Sequence, residues 1–571
     1  MSARPAPPAR ANVRTIPVQR SAAPPPAAST ENAELAAKID PLFATFAGST
    51  SPGCAVGVYR VGETIFAKGY GLASLEHGAP IGSSTTFELA SMSKQFTATA
   101  VLLLAQDGKL SLDDDIRKYV PELPSYGRTI TLRHLLHHTG GLREYDALLD
   151  LSGYDVADVA TADDALHLVT LQKGVNFPAG TEWSYSNTGY FLLSFVVKRV
   201  SGKTLGAFSE ERIFGPLGMK HTTLFDDHTK IIPHRATAYA PRGAGFEVAM
   251  SNREQTGEGN VQSTIEDLAR WDASFYEPRT FGRSWLDAMR TPGKLDDGTA
   301  LTYAMGLIVK TNNGLAEEEH SGGWAGYRTH MRRYPTERLS IACLCNRADA
   351  DPTGLTMAVA RALHPKLAAP KGPSPSPPSS ATGAAATPSF DVTPFAGAYI
   401  EPSSLTVRTV AVKDGVVELG FALTPGEGPP PRALERIDAR SFRVSGAASR
   451  WTLEPPAGKA PQRLVRTAPG EKTHTYQRFE PSTLDAAKLA PYAGRYTSAE
   501  TTHDFTVAVV DGKLVAGPLG KPRQATTFKP LGPDTFLATG FGLVFGRDAK
   551  GAVADVVAVF DGHRAVRWTK R

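Results

Sequence analysis

Glu88-Leu89-Ala90-Ser91-Met92-Ser93-Lys94-Gln95-Phe96 opens the most apolar helical run in the chain, which continues through Ala98, Ala100, Val101, Leu102, Leu103, Leu104 and Ala105 until Gly108 offers a left-handed stop. A helix that is apolar on nearly every side must be buried, so its amino end lies in a water-poor setting. Ser91 stands there, where unpaired backbone N–H groups and the positive end of the helix dipole favour an oxyanion. Lys94, three residues on, shares its face. Desolvation weakens an amine's hold on its proton, which lets a neutral Lys94 act as base toward the Ser91 hydroxyl. A capping serine followed by a solvated first-turn lysine would give the same four letters. Partners elsewhere in the chain must decide between the two.

The chain of 571 residues is 41% hydrophobic and 21% charged, ordinary globular material with length for several domains. A net charge of +5 is small at this size, and no basic tract is interleaved with aromatics, which argues against a nucleic-acid surface. No segment reaches the length of a membrane span. Cys54, Cys343 and Cys345 are too few for a disulfide framework; Cys343 and Cys345 alternate in an apolar run and share one face of a strand. Neither a metal nor a cofactor is expected. Residues 1–30 are rich in Pro, Ala and Arg, read as a disordered leader, and lack the apolar stretch of a signal peptide.

Leu35, Ile39, Leu42 and Phe46 at helical spacing predict one amphipathic helix over residues 31–47. Residues 54–60 and 64–72 predict two strands joined by a tight turn at Gly62. Two short helices are expected at Leu110–Asp115 and Ile130–Leu142, the second capped by Thr131 and closed by Gly140. Within it His134, His137 and His138 have no carboxylate on the same helix and read as structural, with His138 bonded to loop carbonyls. The loop from Phe177 to Tyr190, dense in turn formers, precedes an apolar helix over residues 191–200 and carries Tyr185 and Asn187. A phenol there is a candidate phenolate beside a lysine ammonium. Ser263–Trp271 begins another helix with a capping box, and Leu301–Lys310 and Leu339–Asn346 alternate as strands. Between these lies Glu319-His320-Ser321-Gly322-Gly323-Trp324, whose glycines imply close approach of a ligand or another backbone, so this strand should border a cleft.

Ser91-Met-Ser-Lys94, Tyr185-Ser-Asn187 and His320-Ser-Gly322 together resemble, in order and separation, the motifs of the penicillin-recognising serine hydrolases. The resemblance is to the class C β-lactamase and DD-peptidase branch, with its esterases and D-aminopeptidases. Leu135-Leu-His-His-Thr-Gly-Gly-Leu142, Phe177-Pro-Ala-Gly180 and Pro216-Leu-Gly-Met219 support it, and it covers residues 31–366. It implies an α+β fold: a five-stranded antiparallel sheet flanked by helices, a helical lobe, and a cleft between them. It implies Ser91 as nucleophile, Lys94 and Tyr185 as proton carriers, backbone N–H groups of Ser91 and Gly323 as oxyanion hole, and Asn187, His320 and Gly322 as substrate-binding residues. His320 departs from the lysine usual in β-lactamases and DD-peptidases. A histidine is mostly neutral at pH 7, so weight moves from carboxylate-terminated substrates toward D-aminopeptidase-like enzymes and esterases. Family habit implies export, which the leader does not.

After a Pro/Ser/Ala-rich linker, residues 367–389, Pro394-Phe-Ala-Gly397-Ala-Tyr399 recurs as Pro491-Tyr-Ala-Gly494-Arg-Tyr496, and the Gly415 and Gly512 turns keep the same offset of 97 residues. Two copies of one unit, residues 390–480 and 485–571, alternate apolar and polar positions around Asp-Gly hairpins and predict two all-β barrels. They resemble the lipocalin-like C-terminal domains of D-aminopeptidase relatives, and packed interiors that shape the cleft or join copies of the chain are favoured over ligand calyces. The leading function is amide or ester cleavage of a small-molecule or peptide substrate through an acyl-enzyme, D-aminopeptidase-like, with a carboxylesterase or a catalytically silent binding or assembly protein as the alternatives.

Overall fold

A computed structural model describes residues 30–367 except 49 and 365, and residues 390–571 except 403, 414–415, 422–430, 445–448, 459–460, 469–472, 483, 539–540 and 561–562. The expected leader and linker, apart from Thr30 and Leu367, and the Asp414-Gly415 turn lie outside the described residues.

One antiparallel sheet organises the first part of the chain. Its strand order is Ile308–Asn312, Leu315–Trp324, Tyr327–Tyr334, Leu339–Cys345, Cys54–Arg60, Glu63–Tyr70. It has six strands where the family resemblance implied five. The sixth, Ile308–Asn312, folds back on Leu315–Glu319 through Asn313 and Gly314, both at positive φ as a tight hairpin requires. The predicted strand from Leu301 begins only at Ile308. Gly306 at φ +75° passes the Lys94-Gln95 backbone so closely that a Cβ would stand 2.7 Å from the Gln95 nitrogen, and that bend breaks the strand. Cys54–Arg60 is buried on both faces, which is why it reads as an unbroken apolar run rather than an alternating one. The Val61-Gly62 turn joins it to its neighbour with φ of 57° and 79°.

Cys54 and Cys345 face each other across adjacent strands and are joined by a disulfide, a pairing that a count of three cysteines did not reveal. Cys343 is buried beside them as a free thiol. The first predicted helix is divided into Thr30–Ile39 and a 3-10 segment, Asp40–Phe46, because Pro41 cannot continue the α-helical hydrogen bonding. With Pro352–Leu363 these cover one face of the sheet around Phe43, Val56, Ile341 and Val359. Ile265–Ala273, capped by Thr264, covers the other face and accepts the Tyr59 hydroxyl at its Ile265 carbonyl.

The Lys94–Gln106 helix is buried along almost its whole length against Asn187–Ser201 of the helical lobe and Arg283–Arg290. Leu110–Asp115 forms turns rather than a helix. Leu132–Leu136 is a single turn in which Thr131 and His134 form a reciprocal capping box, so His134 is consumed as a cap.

The remaining chain forms two closed eight-stranded antiparallel barrels, Gly397–Phe479 and Gly494–Lys570, each with strands in sequence order. Among the described residues no helix is long and apolar enough to cross a membrane.

Candidate active site

Ser91 does not open a regular α-helix. Ala90–Ser93 is a 3-10 turn, and Ala90, a residue with a Cβ, is held at φ +48°. Such strain persists only where surrounding contacts over-determine it. Here the Leu89 carbonyl accepts the Thr329 hydroxyl at 2.8 Å, the Leu89 N–H reaches the Val261 carbonyl at 2.8 Å, and the Ser93 hydroxyl accepts the Val261 N–H at 3.1 Å. The turn is pressed onto the Leu315–Trp324 strand at Gly322, where a Cβ would stand 2.2 Å from the Leu89 oxygen. Gly322 thus admits a backbone, while Gly323 lines the cleft together with Ser91.

The regular helix begins at Lys94, whose side chain is fully buried. Its ammonium donates to Ser91 Oγ at 3.1 Å, to Asn187 Oδ1 at 2.8 Å and to the Glu258 carbonyl at 2.9 Å. It lies 4.8 Å from the Tyr185 ring centre and 5.6 Å from that of Tyr190. Burial lowers its pKa to about 8 against the opposing pull of Glu258, Glu144 and Asp146. A substantial share of Lys94 is therefore neutral near pH 8, as a base toward Ser91 requires.

Tyr185 departs from expectation. The residue is 36% exposed, but its hydroxyl is bonded at Ser91, and desolvation raises its pKa rather than lowering it. It is a neutral phenol in this arrangement, able to pass a proton on, and not a standing phenolate. Its neighbour Ser186 caps the Asn187–Ser201 helix, which starts four residues before the predicted run. Asn187 is fixed from three sides: its N–H donates to Glu144 Oε2 at 2.8 Å, its amide nitrogen to Asp146 Oδ2 at 3.1 Å, and its oxygen faces Lys94.

His320 is buried among aromatic rings. Its Nδ1 bonds the Ser321 carbonyl at 2.6 Å, which makes that nitrogen the donor, and its Nε2 then accepts from the Tyr303 hydroxyl at 3.0 Å. Desolvation, with the Lys94 charge second, lowers its pKa to about 3. It is a neutral wall of the site. His138 is likewise kept neutral by burial; it accepts the Ser186 N–H at 3.1 Å and packs its ring, tilted, against Tyr185 and Tyr303. It bonds a backbone N–H, not the loop carbonyls expected of it.

The cleft beside Ser91 is lined also by Tyr145, Asp146, Asn187, Arg253 and Glu258. Tyr145, Glu144, Asp146, Glu258 and Tyr303 escaped the reading of the sequence. Only Glu144, Tyr145 and Asp146 had a usable signal, since they directly follow the Leu135–Leu142 motif. Cys54, Cys343 and Cys345, and separately Asp227, His228 and Glu254, bring ligand atoms together. The first group is occupied by the disulfide, and in the second His228 bonds Glu254.

A buried amine, a hydroxyl at a strained turn and a phenol packed beside both are groups that can together perform acyl transfer. A D-aminopeptidase of Cereibacter sphaeroides is 28% identical over 513 residues, 88% of this chain and 90% of that protein. A D-aminopeptidase of Gluconobacter oxydans is 30% identical over 335 residues, 58% of this chain and 62% of that protein's length. The octameric penicillin-binding protein homologue from Pyrococcus abyssi shares the fold, with a TM-score of 0.54 and 23% identity over 78% of this chain and 99% of that one. The family model described as Beta-lactamase matches residues 39–366, more than half the chain, and the chain belongs to that family as a serine hydrolase.

Proposed function

We propose that the protein is a D-aminopeptidase-like amidase that removes an amino-terminal residue through an acyl-enzyme on Ser91. The observation that carries this reading is the fully buried Lys94, which joins Ser91, Asn187 and the Glu258 carbonyl in one hydrogen-bonded set. In this reading neutral Lys94 takes the Ser91 proton as Oγ attacks the substrate carbonyl. The backbone N–H groups of Ser91 and Gly323 hold the oxyanion. As the tetrahedral intermediate collapses, the C–N bond breaks and the leaving amine receives the proton from Lys94 by way of Tyr185. Water then attacks the ester, giving up a proton to Lys94, and the acid departs as Ser91 Oγ is reprotonated. Asn187 orients Lys94 and the substrate amide, His320 backs the site behind Tyr185, and Gly322 serves by letting the Leu89 backbone approach.

Support for an amine terminus over a carboxylate terminus comes from charge. His320 is neutral with both nitrogens engaged, and the cleft is lined by Asp146, by Glu88 and by Glu258 against Arg253; burial raises all three carboxyls, Glu88 and Glu258 to about 7, so an ammonium entering among them would restore their charge. Arg253 is already paired with Asp146 and Asp150. The D preference is supported by the relatives' names alone. Treatment with a fluorophosphonate should label Ser91, and Lys94→Ala should lower kcat/KM at least about 100-fold. Turnover of D-aminoacyl amides in preference to p-nitrophenyl esters supports the amidase; the reverse order makes it a carboxylesterase, and no adduct on Ser91 makes it a silent member of the family. Self-association is a further proposal, measured by light scattering.

A further inference from the structure

Glu258 is the one carboxylate of the cleft that its surroundings leave half-satisfied. The residue is 7% exposed, its Oε1 accepts the Tyr145 hydroxyl, and its Oε2 has no partner among the described residues. A buried carboxylate oxygen without a donor is costly, and native proteins keep such a group where something else completes it. The positive groups nearby are spent. Lys94 bonds the backbone carbonyl of Glu258, and Arg253 bonds Asp146, Asp150 and the Tyr154 carbonyl.

The loop is built to hold this side chain still. Gly257, at φ +112°, lies so close to the Tyr190 carbonyl that a Cβ would stand 2.2 Å from it, and its own carbonyl accepts the Thr97 hydroxyl at 2.6 Å. Asn260 donates to the carbonyls of Arg253 and Gln255. Lys94 bridges Ser91 Oγ and the backbone carbonyl of Glu258, and Ser91 and Glu258 line the same cleft. In an aminoacyl substrate the α-nitrogen is one carbon removed from the carbonyl under attack.

We infer that Glu258 Oε2 is the docking point for the free α-ammonium of the substrate's amino-terminal residue, with Asp146 as the second carboxylate facing it. The inference rests on the amidase reading of the site and adds to it the residue that demands a free amine. Glu258 would then set specificity for aminoacyl over plain acyl groups by a charge-assisted contact made only when an ammonium is present.

The test compares Glu258→Gln with the unaltered protein on two substrates, D-alanine p-nitroanilide, which has a free amine, and p-nitrophenyl acetate, which has none. The ratio of the two kcat/KM values should fall at least 20-fold, chiefly through KM for the anilide. A parallel loss on both would mean that Glu258 serves only to hold or tune Lys94, and would overturn the inference while leaving the amidase reading intact. If the unaltered protein cleaves the acetate and not the anilide, the amidase reading fails, and binding to Ser91→Ala decides the docking point by itself. There, calorimetry should show D-alanine amide bound at least 10-fold more tightly than N-acetyl-D-alanine amide, a preference that Glu258→Gln removes. Equal binding of the two, or a preference that survives Glu258→Gln, overturns it.

Discussion

The two barrels are copies of one unit that have been put to different uses. Each begins with the same corner: Tyr399 donates its hydroxyl to the Phe395 carbonyl and Tyr496 to the Tyr492 carbonyl, four residues back in both cases. Gly397 and Gly494 occupy the same backbone region, with φ of +147° and +153°. The first barrel closes around a core of its own, with Tyr399, Phe442, Trp451 and Tyr476 inside. The second, with Tyr496, Phe505, Phe528 and Trp568 inside, shares one continuous apolar core with the hydrolase part of the chain. Its Glu500 also reaches the helical lobe, pairing with Arg143 at 2.6 Å and taking hydrogen bonds from Lys173 N–H at its carboxylate and Gln172 at its carbonyl. Arg143 directly precedes Glu144, which holds Asn187. Its carbonyl accepts the Thr188 hydroxyl. The same corner opens both barrels, whereas a residue such as Glu500, within the second copy but not part of the shared pattern, decides what that barrel braces.

The largest effects should come from emptying each core. Trp568→Ala and Trp451→Ala remove fully or nearly fully buried indoles, and each should cost its own barrel about 3–5 kcal/mol. Thermal melts read beside residual hydrolysis should show activity lost early in Trp568→Ala and retained to the unaltered temperature in Trp451→Ala. Equal loss of activity in both would break the contrast. Next in size is Glu500→Ala. It leaves Arg143 in a largely desolvated seam, since the two side chains are 13% and 11% exposed, and should cost about 3 kcal/mol. Glu401→Ala removes the His474 partner inside the first barrel and should cost under about 1 kcal/mol. Denaturant titration measures both, and only Glu500→Ala should also lower kcat/KM.

Much of this was legible in the residues themselves. The Ser91–Lys94 spacing ahead of an apolar run, the Thr131 cap, the Gly62 turn and the repeated Gly-x-Tyr segment are local patterns, and local patterns carry their own periodicity. What escaped is set by distant partners. Ala90 is held in a left-handed conformation by distant partners, Thr329 at the Leu89 carbonyl, 240 residues from it in sequence, and Val261 at the Leu89 N–H and the Ser93 hydroxyl. The Cys54–Cys345 bond depends on strand order, the sixth strand on how the Asn313-Gly314 hairpin folds back, and the elevated Tyr185 pKa on burial that no spacing reports. Glu258 lies in a loop of glycines with no apolar rhythm, so nothing in its own segment marks it as a neighbour of Lys94.

Acidity offers a gentler probe of the same contrast. With Lys94 at about 8, the neutral amine falls about tenfold for each pH unit below that value. On acidic approach kcat/KM should therefore decline with unit slope, and above pH 8 it should level off. Glu401→Ala should leave this curve where it is. Glu500→Ala frees the Arg143 guanidinium to compete for Glu144, one of the carboxylates that favour the Lys94 ammonium, so its midpoint should move to lower pH. Coincident curves for both variants would mean that the second barrel braces the lobe without reaching Lys94.

The smallest effect is expected at the far end of the seam. Gln524, from the second barrel, donates to the Gly153 carbonyl at 2.9 Å, while its own Oε1 is buried without a partner among the described residues. Gln524→Ala loses a hydrogen bond worth about 1 kcal/mol but also relieves that orphaned acceptor, so the net cost should be below 1 kcal/mol, about what thermal melts resolve. Hydrogen exchange is the sharper readout. The amides of Ser152, Gly153 and Tyr154, which close the Tyr145–Leu151 helix on the Leu148, Asp150 and Leu149 carbonyls, should exchange faster in Gln524→Ala. Gln462→Ala, which removes the Arg478 partner within the first barrel, should leave them unchanged. If the seam works as a unit, Glu500→Ala and Gln524→Ala combined should depart from additivity, because Tyr145, at the other end of that short helix, is tied to Thr188 beside Asn187. Strict additivity would reduce the seam to two independent contacts and leave Glu500 alone as the barrel's link to the cleft.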